Sequence, residues 1–167
     1  MAAWALVLGV AGLALGCSVP PGGGDASVGD ASAAVGVLQL GEGERSFRAI
    51  EDGDTLLLAR GCQGSQHVWM TLRALDMDPR GMVVQLSLAR AGDGSPVTSD
   101  FRLRLSFTPD GTGTASQLTG LTLQVPMPES ALGQDLVLRG RLEDRAGVVA
   151  VSERRVQIAW GTQICDI

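Results

Sequence analysis

Apolar and polar residues alternate along most of the chain after Val37, and this pattern restricts the fold more than any other feature. Successive side chains of a strand point to opposite faces, so strict alternation predicts a strand with one buried and one solvent-facing side. The pattern is clearest at 101–107, where four apolar residues are expected to face inward: Phe101, Leu103, Leu105 and Phe107. We find no convincing helical periodicity, so an all-β fold is expected.

Short segments rich in Gly, Asp and Pro interrupt the alternation about every 8–12 residues, which is typical of a β-sandwich with about seven to nine strands. The last two strands are expected to form a hairpin across 144–147. Apolar parity changes between Val151 and Val156, which predicts a β-bulge near Glu153. The predicted strands are 37–40, 45–50, 55–59, 66–75, 82–91, 101–107, 118–125, 136–143 and 148–160.

The order of these strands resembles bacterial immunoglobulin-like modules, mainly through the final hairpin. The resemblance implies that 37–167 form an antiparallel immunoglobulin-like β-sandwich, and a closed antiparallel β-barrel is the alternative. It concerns architecture alone, because the cysteines do not follow the Cys-Trp-Cys arrangement of true immunoglobulin domains. Here Trp69 follows Cys62 by only seven positions, and Cys165 lies close to the end of the sequence.

The first 16 residues are almost entirely apolar or small, which predicts a secretory signal peptide. The run is shorter than the roughly 20 apolar residues of a spanning helix. The sequence Leu-Ala-Leu-Gly-Cys at 13–17 resembles the lipobox of bacterial lipoproteins. That resemblance implies cleavage before Cys17 and attachment of a lipid to its sulfur. The alternative is an ordinary signal peptide with an incidental cysteine.

Residues 17–36 are rich in Pro, Gly, Ser and Ala, a composition that predicts a flexible tether between the lipidated cysteine and the fold. In the lipoprotein family, the residue after the cysteine directs sorting, and Ser18 implies the outer membrane. The expectation is therefore a lipid-anchored protein of the outer membrane that faces the periplasm or the cell surface.

Cys62 and Cys165 remain as a pair once Cys17 is lipidated. Disulfides persist in exported proteins, so we expect a structural disulfide between them. The alternatives are a reactive thiol or half of a metal site. The single histidine cannot complete a zinc site with two cysteines, and the acidic turns at 51–54 and 76–78 lack the spacing of a calcium loop. No metal and no cofactor are expected.

His67, Trp69 and Arg73 share one face of the predicted strand 66–75. They form either a patch that contacts a ligand or the second buried face of a central strand. The net charge of -5 argues against nucleic acid as a partner. No G-x-S-x-G motif is present, and the paired carboxylates lie in turns.

These observations favour a non-enzymatic, membrane-tethered binding or structural module of the cell envelope. The expected contacts are the membrane, through the N-terminal lipid, and a protein or glycan partner in the envelope. An envelope hydrolase that uses His67 with a carboxylate is the alternative function. The two hypotheses differ in one respect that a structure reveals, namely whether His67 lies in a pocket within hydrogen-bond reach of Asp or Glu.

Overall fold

The computed structural model describes residues 35–61, 65–99 and 101–161, and within them the fold is all-β, as predicted. A single 3₁₀ turn, Pro128–Ser130, is the one helical element of this part. The ten strands, in chain order, are β1 Val37–Glu42, β2 Arg48–Ala49, β3 Asp54–Arg60, β4 Gln66–Leu75, β5 Met82–Arg90, β6 Phe101–Leu105, β7 Thr108–Pro109, β8 Ala115–Gln124, β9 Leu136–Glu143 and β10 Val149–Trp160.

These strands form one curled sheet, a half-barrel, in the order β2-β1-β4-β3-β10-β9-β5-β6. Strand β4 is the centre of the sheet, because β8 pairs with its other edge and carries β7 in turn. On the edge of β4 that does not pair with β8, β1 pairs with Met70 to Leu75 and β3 pairs with Gln66 to Val68. Two strands therefore share one edge of β4 and separate next to Trp69.

The sheet is mixed, which differs from the expected purely antiparallel arrangement. Strands β3 and β10 run parallel, with Asp54 opposite Val156 and Leu58 opposite Trp160. Parallel neighbours require a long connection, and here most of the domain lies between the two strands. Alternation of side chains is the same in parallel and antiparallel strands, so the sequence pattern contains no signal for this pairing.

One hydrophobic core lies inside the curl. Strand β1 packs across the core against β9, where Gly140 leaves room for leucines of β1. A Cβ at position 140 would lie 2.6 Å from Leu40 Cδ2 and 3.0 Å from Leu38 Cδ2. The large side chains that are fully buried come from several strands: Leu40, Ile50, Leu56, Leu58, Met70, Leu72, Met82, Leu88, Leu123, Leu136, Leu138 and Leu142.

The prediction that 101–107 bury one whole apolar face is wrong in its middle. Strand β6 ends at Leu105, and Leu103 is 48% exposed although Phe107 is buried. Strand β6 is the last strand of the sheet order, and β5 is its one pairing partner among the described residues. Alternation determines which side of a strand is apolar, whereas coverage of that side depends on a second layer.

The predicted β-bulge near Glu153 is also wrong, because β10 pairs with β9 without a register shift from Val149 to Val156. Ser152 and Arg154 occupy inward positions there, and Arg154 Nε donates a 3.0 Å hydrogen bond to the Ile50 carbonyl. The irregular pairing lies instead between β4 and β8, between Met70 and Leu72.

The predicted hairpin between β9 and β10 is confirmed, and a buried aspartate in its turn holds it. Asp144 Oδ1 accepts hydrogen bonds from the backbone N–H groups of Ala146 and Val148, each 2.9 Å long. Its Oδ2 accepts a third hydrogen bond from the N–H of Asp78, in the loop between β4 and β5. One carboxylate therefore orders its own turn and attaches that turn to a neighbouring loop.

Candidate functional site

His67 and Trp69 lie on the second buried face of β4, and their rings pack edge to face. The ring centroids are 4.7 Å apart with an interplanar angle of 90°, and His67 is only 6% exposed. Val68, Met70 and Leu72 fill the opposite face of the strand, so β4 is buried on both sides. The structure therefore places His67 inside the protein, in agreement with the interpretation of a central strand.

The imidazole of His67 makes no hydrogen bond to any described residue through either nitrogen. Burial lowers the pKa of His67, because a charged imidazolium would lose its hydration there. The ring is therefore neutral at pH 7. Trp69 Nε1 likewise has no hydrogen-bond partner in the described part of the chain. No carboxylate pairs with His67 in residues 35–61, 65–99 and 101–161, so the arrangement that a histidine-dependent hydrolase needs is not present there.

Arg73 lies further along the same strand but takes part in a different contact. Its guanidinium stacks on the Phe47 ring at 4.2 Å, and its Nε is 3.2 Å from Asp110 Oδ2. The Asp110 side chain is only 1% exposed. The pKa of Asp110 is lowered, first by hydrogen bonds from the Thr112 hydroxyl and backbone N–H and then by the charge of Arg73. Arg73 thus joins two loops across β4 and does not combine with His67 and Trp69 in one ligand site.

A small groove of about 380 Å³ opens where β1 and β3 separate, and Trp69 lines it. Glu42 fills the junction, since its Oε1 accepts a 2.7 Å hydrogen bond from the Leu57 N–H and its other oxygen pairs with Arg48. Burial leaves the Glu42 side chain 13% exposed. The carboxylate replaces a backbone partner that β3 lacks at this point, so its role is structural.

A second groove lies on the outer face of β5, β6, β9 and β10 and has a volume of about 730 Å³. The inward residues of these strands form the core, so the residues between them project outward. Residues directly opposite in antiparallel strands share a face. We call this surface the arginine face, after its five outward arginines: Arg102, Arg104, Arg139, Arg141 and Arg155.

The pairing register places these side chains in rows across the strands. One row runs Arg102, Gln85, Arg141 and Val151, from β6 through β5 and β9 to β10. The next row runs Ser87, Arg139 and Glu153. Arg102, Gln85, Ser87, Arg139, Arg141 and Val151 all line the groove. Polar, cationic and apolar groups therefore converge in one open depression.

The charges of this face are opposite in sign to those of the whole chain. Only two outward acids, Glu143 and Glu153, accompany the five arginines, whereas the protein has a net charge of -5. Arg139 pairs with Glu153, and Arg141 Nη1 donates a 2.8 Å hydrogen bond to Glu143. The described residues outside this face include eight arginines and twelve acidic residues, so the arginine face is an electrostatically distinct region.

Sequence reasoning did not identify the arginine face, although part of its signal is visible. Arg102 and Arg104 alternate with leucines, as do Arg139 and Arg141 with small or apolar residues. Alternation places Arg102 and Arg104 on the solvent side of their strand, and the same rule applies to Arg139 and Arg141. Their meeting on one surface depends on β5 lying between β6 and β9, which alternation does not reveal.

Cys17, Cys62 and Cys165 all lie outside the described residues, as does the N-terminal segment expected to hold the signal peptide and most of the tether. Among the described residues, no helix is long and apolar enough to cross a membrane. The same residues contain no group of three His, Asp, Glu or Cys side chains placed to hold a metal ion. The chain matches no protein-family model and no curated protein.

Proposed function

We propose that this chain is a non-enzymatic binding module of the cell envelope, held to the outer membrane by lipid on Cys17, which engages a partner through the arginine face. The single observation behind the binding surface is the groove of about 730 Å³ on the outside of β5, β6, β9 and β10. It combines guanidinium groups with the half-exposed apolar side chain of Val151. Arginine next to apolar surface is typical of protein interfaces.

The strand order supports an immunoglobulin-like architecture for the module. In that architecture, strands A, B, E and D form one layer, and strands G, F and C form the other with C′ beside C. The corresponding series here are β1-β4-β8-β7 and β10-β9-β5-β6, in the same chain order. Strand β3 contributes to both series of strands, since it pairs with β4 in the first and with β10 in the second.

The expected disulfide is supported by where the described strands end. The N–H of Gly161, just after β10, donates a 2.9 Å hydrogen bond to the carbonyl of Leu58 in β3. Cys62 comes four residues after Leu58 in the sequence, and Cys165 comes four residues after Gly161. Both cysteines therefore follow closely after positions that are hydrogen-bonded to each other, which favours a bridge between them.

The alternative of a hydrolase that uses His67 has less support. His67 is buried, lies outside the arginine face and has no carboxylate partner among the described residues. A general base must reach a substrate proton through a hydrogen bond or one water. The buried edge-to-face packing with Trp69 instead gives His67 a packing role.

Site-specific photocrosslinking in intact cells tests the binding surface. A photoreactive amino acid at Val151, which is 56% exposed within the groove, is expected to yield a discrete adduct with an envelope component. The matched control is the same amino acid at Leu57, which is 51% exposed on another strand outside the arginine face. The Val151 adduct should be lost when Arg141 is replaced by glutamine. The absence of any Val151 adduct, or the same adduct from Leu57, would overturn the proposal.

A further inference from the structure

We propose that the arginine face binds an acidic polypeptide segment, whose carboxylates are held by Arg102, Arg139 and Arg141. This inference rests on the proposed function, because it specifies the chemistry of the partner that the same surface receives. It follows from three properties of the face: the positions of the guanidinium groups, their weak existing partners and the exposed valines beside them.

The positions of the arginines are suited to more than one carboxylate at once. Arg102 and Arg141 lie in one row on either side of Gln85, two strand spacings apart, or about 10 Å between backbones. Arg139 lies in the adjacent row on the same strand as Arg141. Each guanidinium can bind a carboxylate through two parallel N–H donors. Alternate carboxylates of an extended peptide are about 7 Å apart, a spacing that flexible arginine side chains can reach.

The existing ion pairs do not prevent such binding. The side chains of Arg139 and Glu153 are 61% and 45% exposed, so their pairing is a weak surface contact that water and salt screen. Arg141 and Glu143 are also substantially exposed. Arg102 is exposed and forms no ion pair with any residue of the described part. A partner's carboxylates can therefore add to Arg102 and exchange with the two glutamates.

Exposed valines favour a polypeptide over an anionic glycan. Val149 and Val151 project from β10 beside the arginines, with 39% and 56% of their surface exposed. Sugar-binding surfaces commonly present an aromatic ring on which the sugar stacks. Of the two aromatic side chains in these strands, Trp160 packs against the core, while Phe101 is half-buried, with one side against the core and the other lining the groove. The groove therefore offers a sugar only part of one aromatic ring, whereas Val149 and Val151 are open to the apolar side chains of a polypeptide.

Fluorescence anisotropy with the full-length, lipidated protein in a neutral detergent tests the inference. The probe is a short labelled peptide of glutamate interspersed with valine and serine, and its control has glutamine at every glutamate. We expect the acidic peptide alone to bind, with an affinity that falls as salt is added. Arg102→Gln and Arg141→Gln should each weaken binding about tenfold, the usual range for a charged hydrogen bond.

The matched control is Arg45→Gln, which removes the same charge from a side chain that is 89% exposed and outside the face. It should leave the affinity unchanged, and thermal unfolding should confirm that all three variants are folded. Equal weakening by Arg45→Gln would indicate a non-specific charge effect and overturn the inference.

Other occupants of the face have distinct outcomes in the same experiment. Binding of polygalacturonate but not of the peptide, with the same dependence on Arg102 and Arg141, would assign the face to an anionic glycan. Self-association that Arg141→Gln abolishes, without peptide binding, would assign it to a second copy of the chain. Either result would overturn the inference that the arginine face binds an acidic polypeptide. If neither probe binds while the Val151 adduct persists in cells, the proposed function stands and this inference fails.

Discussion

Replacing Gly140 with alanine tests whether β1 packs directly on β9 across the core. Gly140 lies on the inward side of β9, between the buried Leu138 and Leu142. A Cβ at this position would lie 2.6 Å from Leu40 Cδ2 and 3.0 Å from Leu38 Cδ2, both on β1. Carbon atoms at their optimal separation are about 3.5–4.0 Å apart. The added methyl group therefore forces the two sides of the core apart or moves both leucines.

The expected magnitude follows from two opposing terms. Overpacking a close-packed core by one methyl group costs about 1–3 kcal/mol. Replacing glycine by alanine at a compatible backbone position stabilises the folded protein by about 0.4–1 kcal/mol, because the unfolded chain loses conformational entropy. Gly140→Ala should therefore reduce the free energy of unfolding by about 1–2 kcal/mol. Gly92→Ala is the control, since a Cβ there would meet no atom within 4 Å, and it should not destabilise the protein.

A double-mutant cycle in urea identifies the source of the effect. Leu40→Ala alone creates a cavity and should cost about 2–5 kcal/mol. It also removes the atom closest to the new Cβ, so Gly140→Ala should cost much less in that background. Strictly additive losses, or a neutral Gly140→Ala with an unchanged urea dependence, would refute the packing of β1 on β9.

Four further outcomes are expected. Burial lowers the pKa of His67, so the unfolded chain binds the proton more tightly than the folded chain does, and the free energy of unfolding should rise from pH 5 to pH 7. The rise should be smaller in His67→Phe, and an unchanged dependence of stability on pH in that variant would contradict this. Leu103→Ala should cost only about 1 kcal/mol in urea, because the side chain is 48% exposed. Cys17→Ser should abolish palmitate labelling and release the protein from the membrane fraction. Peptide mapping without reductant should link Cys62 to Cys165, and free thiols at both positions would refute the bridge.

The sequence predicted local strands more accurately than their environments. The predicted strands 66–75 and 136–143 coincide with β4 and β9, because both alternate over their whole length and end at turns. Strand β8 begins at Ala115, three residues before the predicted start, since Ser116 and Gln117 do not alternate in hydrophobicity. The same limit explains Leu103, whose exposure depends on the position of β6 at the end of the sheet order and not on its own alternation.

The arginine face shows why a binding surface of this kind is harder to predict than the strands that form it. Its central row joins Arg102, Gln85, Arg141 and Val151, which come from two pairs of consecutive strands, β5–β6 and β9–β10, that are far apart in the sequence. A one-residue slip in any pairing would turn one of these side chains inward, so the groove exists only because the register is correct throughout. Core packing sets that register, because Leu86, Leu138 and Leu142 must all face inward. The hydrophobic core therefore determines indirectly which charges meet on the opposite side of the sheet.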